Sequence, residues 1–363
     1  MKVPAGFSAS NITQPGSNRR FLSHLWLLSL LTLGLVTLGL DGALAGAQNT
    51  LVLVGSGSSV PTPLYNRWAQ EYGKRNPNIQ MRYLTVGTSE GIKQISHGAG
   101  DFSAGEAQLT EKERKEGSLI ELPVVLIAIV PIYNLPEGQR ELRLSGEVLA
   151  EIFLGDIKTW NAPQIAKLNP AVNLPNLPIQ VVNRPAGKGS NYVFTDFLSR
   201  MSPKFRAQIG TTPSPKWPVG KPAERSSDMA EKVKSSPGSI GYVEYQYAVN
   251  NNIPQAVVMN PAGKFVMAST ESMAAACYAA EEPAWNRFAA SLIDQPGADS
   301  FPITSFSWIY LRIKAADSTR AAALSNLLDW IYTDGQRFAV QEGYTELPPP
   351  LLAALRQKVK DLP

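Results

Sequence analysis

Two residue types on which much site chemistry depends are almost missing from this chain. Of its 363 residues, one is cysteine (Cys277) and two are histidine (His24 and His97). A single thiol excludes any intramolecular disulfide. Two histidines, one of them near the N-terminus, argue against a multi-histidine metal site and against a His-based hydrolytic triad. Charge is scarce as well: charged residues make up 18% of the chain and the formal net charge is +4. Lys2, Arg19, Arg20 and Asp41 account for +2 of this, so the rest of the chain carries only +2. That is too weak a field for a nucleic-acid binder. Any preference for anions has to come from a local site.

Turn-forming and apolar residues, by contrast, are plentiful. Hydrophobic residues make up 44% of the chain, and Gly and Pro number 28 each. The length allows two domains, and the composition fits an α/β protein with many turns. Cys277 follows three alanines, as expected of a small buried residue on a helix. The N-terminal segment reads as an export signal over residues 1–45. Arg19 and Arg20 precede an apolar run from Phe21 to Leu40, and Ala43-Leu44-Ala45 forms a small-x-small cleavage site. An uncleaved membrane anchor is the alternative, since the run approaches spanning length. No cysteine lies near the site to carry a lipid.

Beyond the signal, strands and helices alternate. The pattern predicts strands over Leu51–Val54, Ile79–Thr85, Asp101–Ala104, Leu122–Tyr133, Ile179–Val182, Gly238–Val243 and Pro302–Leu311. Helices are predicted over Leu64–Lys74, from Gly87 to Ser96, over Gly146–Phe153, Pro163–Leu168 and Asn191–Arg200, and over one long stretch from Ser318 to Glu342. Strand–loop–helix repetition implies mainly parallel sheets with crossover helices. The apolar crossings near 122–133 and 300–311 suggest that the chain leaves a first lobe and later returns to it. The expected boundaries are 46–125 plus 300–363 for lobe I and 126–299 for lobe II.

Three loops share one character: Gly55–Ser59, Gly87–Ser89 and Gly187–Ser190 each follow a strand, are rich in Gly and hydroxyls, and open a helix. A helix amino end presents unpaired N–H groups and a partial positive charge, so it attracts anions, while glycine lets backbone approach a ligand. Simple capping by Ser and Thr is the better account of any one loop, and it is the recurrence of three that brings an anion site level with it. Arg184, at a strand end beside the third loop, has the planar fork that grips an oxyanion. Lys188 lies between two glycines in that loop. Glu106 ends the third strand, and an ionised carboxylate only accepts hydrogen bonds. It is useful beside an anion that carries a proton, as hydrogenphosphate does and sulfate does not.

These residues resemble the periplasmic phosphate-binding proteins of the phosphate-specific ABC importer, which are type 2 periplasmic binding proteins. The matching stretches are Gly55–Tyr65, Gly91–Gln94, Asp101–Ala104, Leu144–Gly155, Lys158–Asn161, Val193–Leu198, Lys216–Gly220, Ile240–Tyr245 and Phe301–Ser305. The resemblance implies a two-lobed α/β fold in which crossover strands join the lobes and a hinged cleft closes on inorganic phosphate. It also implies delivery to a membrane permease, a periplasmic location, a monomer, and neither enzymatic activity nor cofactor. By the same resemblance, Ser59 and Val60 stand where the family has Thr and Phe with phosphate-contacting amides. Thr88 stands for a Ser, Glu106 for the proton-accepting Asp, and Arg184 for the phosphate-gripping Arg. Lys188, as an added cation, with Gly189 and Ser190 completes the expected binding set.

The chain departs from the family at Ala186, where the Arg-pairing Asp is lost, and at Lys188, where a ligand-contacting Ser is lost. It departs again at Lys221–Ser226, which replaces a Gly-rich segment. The changes are expected to raise positive charge at the cleft and to alter selectivity against sulfate or arsenate. A diverged anion-binding paralogue without a transport role is the alternative reading.

Overall fold

A computed structural model describes residues 50–136, 141–280, 288, 290–314 and 317–362. The expected export signal lies outside the described residues. The first part of the chain alternates β1 (Leu51–Gly57), α1 (Thr62–Arg75), β2 (Ile79–Thr85), α2 (Thr88–Ser96), β3 (Phe102–Gly105) and α3 (Glu111–Glu116) before the long strand β4 (Leu119–Tyr133). Next come β5 (Arg143–Leu144), α4 (Gly146–Leu154), α5 (Pro163–Leu168), β6 (Gln180–Asn183), α6 (Gly189–Met201), α7 (Pro203–Gln208) and β7 (Lys221–Pro222). Then follow α8 (Ser226–Ser235), β8 (Ser239–Glu244), α9 (Tyr245–Asn250), β9 (Val257–Met259), β10 (Phe265–Val266) and α10 (Thr270–Tyr278). The chain closes with β11 (Thr304–Arg312), α11 (Ser318–Ile331), α12 (Asp334–Gln341) and α13 (Pro349–Lys360).

Eight strands form one sheet in the order β2-β1-β3-β11-β4-β8-β6-β7, and β10-β9-β5 form a small second sheet. The large sheet has two halves that share β4. Residues 119–128 of β4 pair with β11, and residues 129–133 pair with β8. In the first half β1, β2 and β3 are parallel and β11 runs antiparallel to β3 and β4. In the second half β6, β7 and β8 are parallel and β4 is antiparallel to β8. This is the two-lobed α/β arrangement expected from the sequence. The chain leaves the first half along β4 and returns at Ile303, whose carbonyl accepts from Ile129 N at 3.1 Å.

Nearly every residue of β4 is buried, which explains its unbroken apolar sequence. Pro123 lies inside it without disrupting the sheet. The register against β11 shifts between Ser307 and Trp308, so that Trp308 faces Pro123 and Ser307 faces Val125. Proline has no N–H to give a ladder, and the shift absorbs the missing bond.

One expectation fails. The amphipathic stretch from Ser318 to Glu342 is two helices rather than one, broken at Tyr332–Thr333. Thr333 takes ψ −97, outside the helical range. The buried Gln336 side chain reaches back to the Ile331 carbonyl at 3.1 Å, and Gly335 O accepts from the indole of the buried Trp68 at 2.8 Å. Thr333 Oγ1, which donates to Asp329 O at 2.8 Å, and Gln336 thus satisfy carbonyls at the end of α11 that a continuous helix would have satisfied itself.

Candidate functional site

The carboxyl ends of β1, β3, β6 and β8 carry the polar residues that the apolar core does not account for. Gly57 ends β1 with φ 145, and a Cβ there would lie 2.0 Å from Ala104 O. Only glycine lets β1 come this close to β3 here. The next residue, Ser58, is buried and points across to Glu106, donating to Oε2 at 2.7 Å, while its oxygen accepts from Val60 N at 3.1 Å.

Glu106 is 0% exposed, yet it is a carboxylate. Thr88 Oγ1 at 3.4 Å and Ser307 Oγ at 3.5 Å add two further hydroxyls to the one from Ser58. Burial pushes its pKa up to about 7, and the negative charge of Glu244 acts in the same direction; the Ser58 and Thr88 hydroxyls and Arg184 oppose the rise. Glu106 therefore exchanges a proton near neutral pH.

Arg184 follows β6 and is 1% exposed. Its guanidinium is shared between the two halves of the sheet. Nη2 donates to Ser59 Oγ at 3.3 Å in the first half, and Nη1 donates to Ser226 Oγ at 3.2 Å in the second. The backbone beneath it is fixed from three sides. Arg184 N donates to Tyr242 Oη at 3.1 Å, Trp217 Nε1 donates to Arg184 O at 3.1 Å, and Asn191 Nδ2 donates to Pro185 O at 2.7 Å. Tyr242 Oη donates in turn to Asn191 Oδ1.

The third loop completes the approach. Gly187 takes φ 85, Lys188 caps α6, and Gly189 begins the helix. A Cβ on Gly189 would lie 1.9 Å from Glu106 Oε2 and 2.5 Å from Thr88 Oγ1. The amino end of α6 is thus in direct contact with the Glu106 pocket. Ser89 N, in the first turn of α2, donates to Gly187 O at 3.3 Å and ties the second and third loops together.

Ser59, Val60, Thr88, Glu106, Arg184, Gly189 and Ser190 therefore gather around one point. Among the described residues, the buried Ser190 Oγ and Arg184 Nε have no hydrogen-bond partner. Two orphaned buried donors beside a carboxylate of raised pKa suit an anion that can also exchange a proton. Lys188 is placed differently from the rest. Its Nζ lies 3.2 Å from Glu224 Oε2, so its charge is matched outside the Glu106 pocket. Nor is Arg184 left unattached by the loss of an acidic residue at Ala186, because Ser226 and Ser59 hold its fork.

Four polar residues at this point were not anticipated: Ser58, Ser226, Glu244 and Ser307. Ser58 lies inside the first of the Gly-Ser loops. Glu244 ends the buried strand β8 as Glu106 follows β3, a parallel that the sequence does offer. A cavity of about 710 Å³ lies elsewhere, along β6 beside Ile157, Val219, Lys221 and Lys232. It contains none of the site residues, and the Lys221–Pro222 strand there blunts a sheet edge. His97 is exposed after α2, and burial pushes the Cys277 thiol up to about 12, so neither offers a nucleophile or base to the site.

Two half-sheets joined by a shared strand, with helix amino ends and a buried Arg meeting between them, define a two-lobed solute-binding protein. The PBP superfamily domain matches residues 44–335, and the chain belongs to that superfamily. Within it the chain belongs to the PstS phosphate-binding protein family. It is 36% identical over 309 residues to the phosphate-binding protein PstS of Pasteurella multocida, covering 85% of this chain and 90% of the relative. It is 35% identical over 323 residues to that of Haemophilus influenzae, covering 88% and 95%. Among solved structures, it is similar to the high affinity periplasmic phosphate-binding protein PfluDING bound with phosphate, with a TM-score of 0.67, 18% identity, and coverage of 85% and 93%. It is also similar to an ABC-type phosphate transport receptor from Vibrio cholerae, with a TM-score of 0.56, 15% identity, and coverage of 82% and 100%.

Proposed function

We propose that this chain is the extracytoplasmic solute-binding component of an ABC importer, capturing inorganic phosphate between its lobes and delivering it to a membrane permease. The observation that carries the reading is the meeting of Arg184, with its free Nε, and the buried Glu106 at the amino end of α6. Arg184 and the helix amino ends supply positive potential for a doubly charged tetrahedral ion. Ser190 Oγ supplies a further donor. Glu106, when ionised, accepts the proton of hydrogenphosphate. Sulfate has no proton to give and leaves two negative groups face to face. A hydrogen bond to a charged group is worth about 1.5–3 kcal/mol, so one such contact separates the two ions by roughly 10- to 150-fold.

In this reading lobe I comprises residues 46–125 and 300–363, and lobe II residues 126–299. Ser59, Val60, Thr88 and Glu106 line the cleft from lobe I, and Arg184, Gly189 and Ser190 from lobe II. Lys188 contributes its backbone at the start of α6, with its side chain turned to Glu224. The protein works as a periplasmic monomer without catalytic residues or cofactor. No helix among the described residues is long and apolar enough to cross a membrane. Calorimetric titration of residues 46–363 with phosphate, sulfate and arsenate tests the assignment. Phosphate is expected to bind one to one and sulfate at least tenfold more weakly; no phosphate binding, or equal affinity for sulfate, would overturn it.

A further inference from the structure

A guanidinium that is 1% exposed needs a countercharge nearby. The Arg184 loop supplies none, because residues 185–190 read Pro, Ala, Gly, Lys, Gly, Ser. Glu106 lies across the cleft and already accepts from Ser58, Thr88 and Ser307. Of the other buried carboxylates, Asp101 pairs with Arg320 and Glu121 with Arg114, which leaves Glu244, at the end of β8 and 4% exposed. Ser226, the first residue of α8, joins it to the arginine. Its Oγ accepts from Arg184 Nη1 at 3.2 Å and donates to Glu244 Oε1 at 2.6 Å. A serine hydroxyl has one proton, and arginine only donates, so the direction of this chain is fixed.

We infer that Ser226 and Glu244 position Arg184 for the ligand, with Glu244 supplying through the Ser226 hydroxyl the countercharge that the Arg184 loop lacks. The inference rests on the phosphate reading of the cleft and adds to it the groups that set the guanidinium. Ser226 and Glu244 are positioning residues, acting through Arg184. The charges of Arg184 and Glu244 are also felt across the cleft. Glu106 is faced by Arg184, which favours its ionised form, and by Glu244, which disfavours it; Tyr65, Tyr83, Tyr310 and Tyr344 are buried around it. Loosening Arg184 and neutralising Glu244 should therefore move the titration of Glu106 in opposite directions.

That opposition gives a test that simple structural support would not pass. The titration of the Glu106 carboxyl would be followed by carbon-13 NMR on ligand-free protein, and phosphate affinity by calorimetry. The proteins are wild type, Ser226→Ala, Ser226→Thr, Glu244→Gln and Arg184→Lys, the last with and without Ser226→Ala. Ser226→Ala is expected to raise the Glu106 pKa and weaken phosphate by about 10-fold, with Ser226→Thr restoring both. Glu244→Gln keeps an acceptor for Ser226 and is expected to lower the Glu106 pKa. In the Arg184→Lys background, Ser226→Ala should change affinity by less than about threefold. The relay is refuted by an unmoved Glu106 titration in Ser226→Ala, or by equal losses of affinity in both Arg184 backgrounds. Absence of phosphate binding in wild type would refute the ligand assignment alone, since the NMR titration still decides the relay.

Discussion

Replacing Glu106 by Gln isolates the group whose burial is least compatible with its charge. Glu106 is 0% exposed, and its pKa is raised from 4.5 to about 7 in the folded chain. A tenfold change in proton affinity corresponds to about 1.36 kcal/mol, so ionising this carboxyl costs the folded state roughly 3 kcal/mol relative to an unfolded chain. Because the folded-state pKa is the higher one, the stabilisation is complete below about pH 4.5. It is lost as pH rises through 7 and does not return above that. Gln is close in shape, stays neutral throughout, and can still accept from one of the three hydroxyls. Urea denaturation of ligand-free protein at several values between pH 4.5 and 8.5 is the assay. The stability of wild type should fall relative to Glu106→Gln by roughly 3 kcal/mol across that range, mostly between pH 5 and 7.5. Parallel curves would mean that Glu106 is hydrated or already neutralised, and the proton-exchange account of the cleft would fail with it. The same variant should lose phosphate affinity while its rejection of sulfate relaxes, because Gln can donate to an unprotonated oxygen.

The remaining expectations follow from the contacts around that group. Arg184→Ala removes the shared guanidinium and should weaken phosphate by about 100-fold or more in calorimetry, given hydrogen bonds to charge of about 1.5–3 kcal/mol each; retention of affinity would place the ligand elsewhere. Gly189→Ala puts a Cβ 1.9 Å from Glu106 Oε2 and should weaken phosphate by about 10-fold through overpacking, visible as a shifted titration midpoint. Lys188→Ser should change phosphate affinity by less than about threefold even at low salt, since its partner Glu224 is 69% exposed and the pair is screened by solvent. A larger, salt-sensitive loss would show that the lysine turns to the ligand.

Much of the fold was legible because it is written in local pattern. The apolar run of β4, the Gly-Ser loops after β1 and before α2 and α6, and Ser145 capping α4 are all sequence-local signals, and the elements lie where those signals put them. The break between α11 and α12 was not legible. Apolar residues continue on both sides of Thr333, and the interruption is made tolerable by side-chain bonds that no periodicity announces, from Thr333 to Asp329 O and from the buried Gln336 to Ile331 O.

The site divides along the same line. Composition by itself set aside disulfides, histidine metal centres and nucleic acid, and the loops with Arg184 and Glu106 pointed to an anion that carries a proton. Which partner each charge takes was decided only in three dimensions. Lys188 and Arg184 are four residues apart, yet one pairs with Glu224 near the surface and the other with Ser226 in the interior. Ser58, Ser307 and Glu244 come from segments far apart in the chain, and although Ser58 sits in a Gly-Ser loop and Glu244 at a strand end, nothing local says that they share one cluster. The reason is physical: propensity and periodicity act over a few residues, whereas a buried charge is stabilised by whatever polar groups the closed sheet brings within hydrogen-bonding reach.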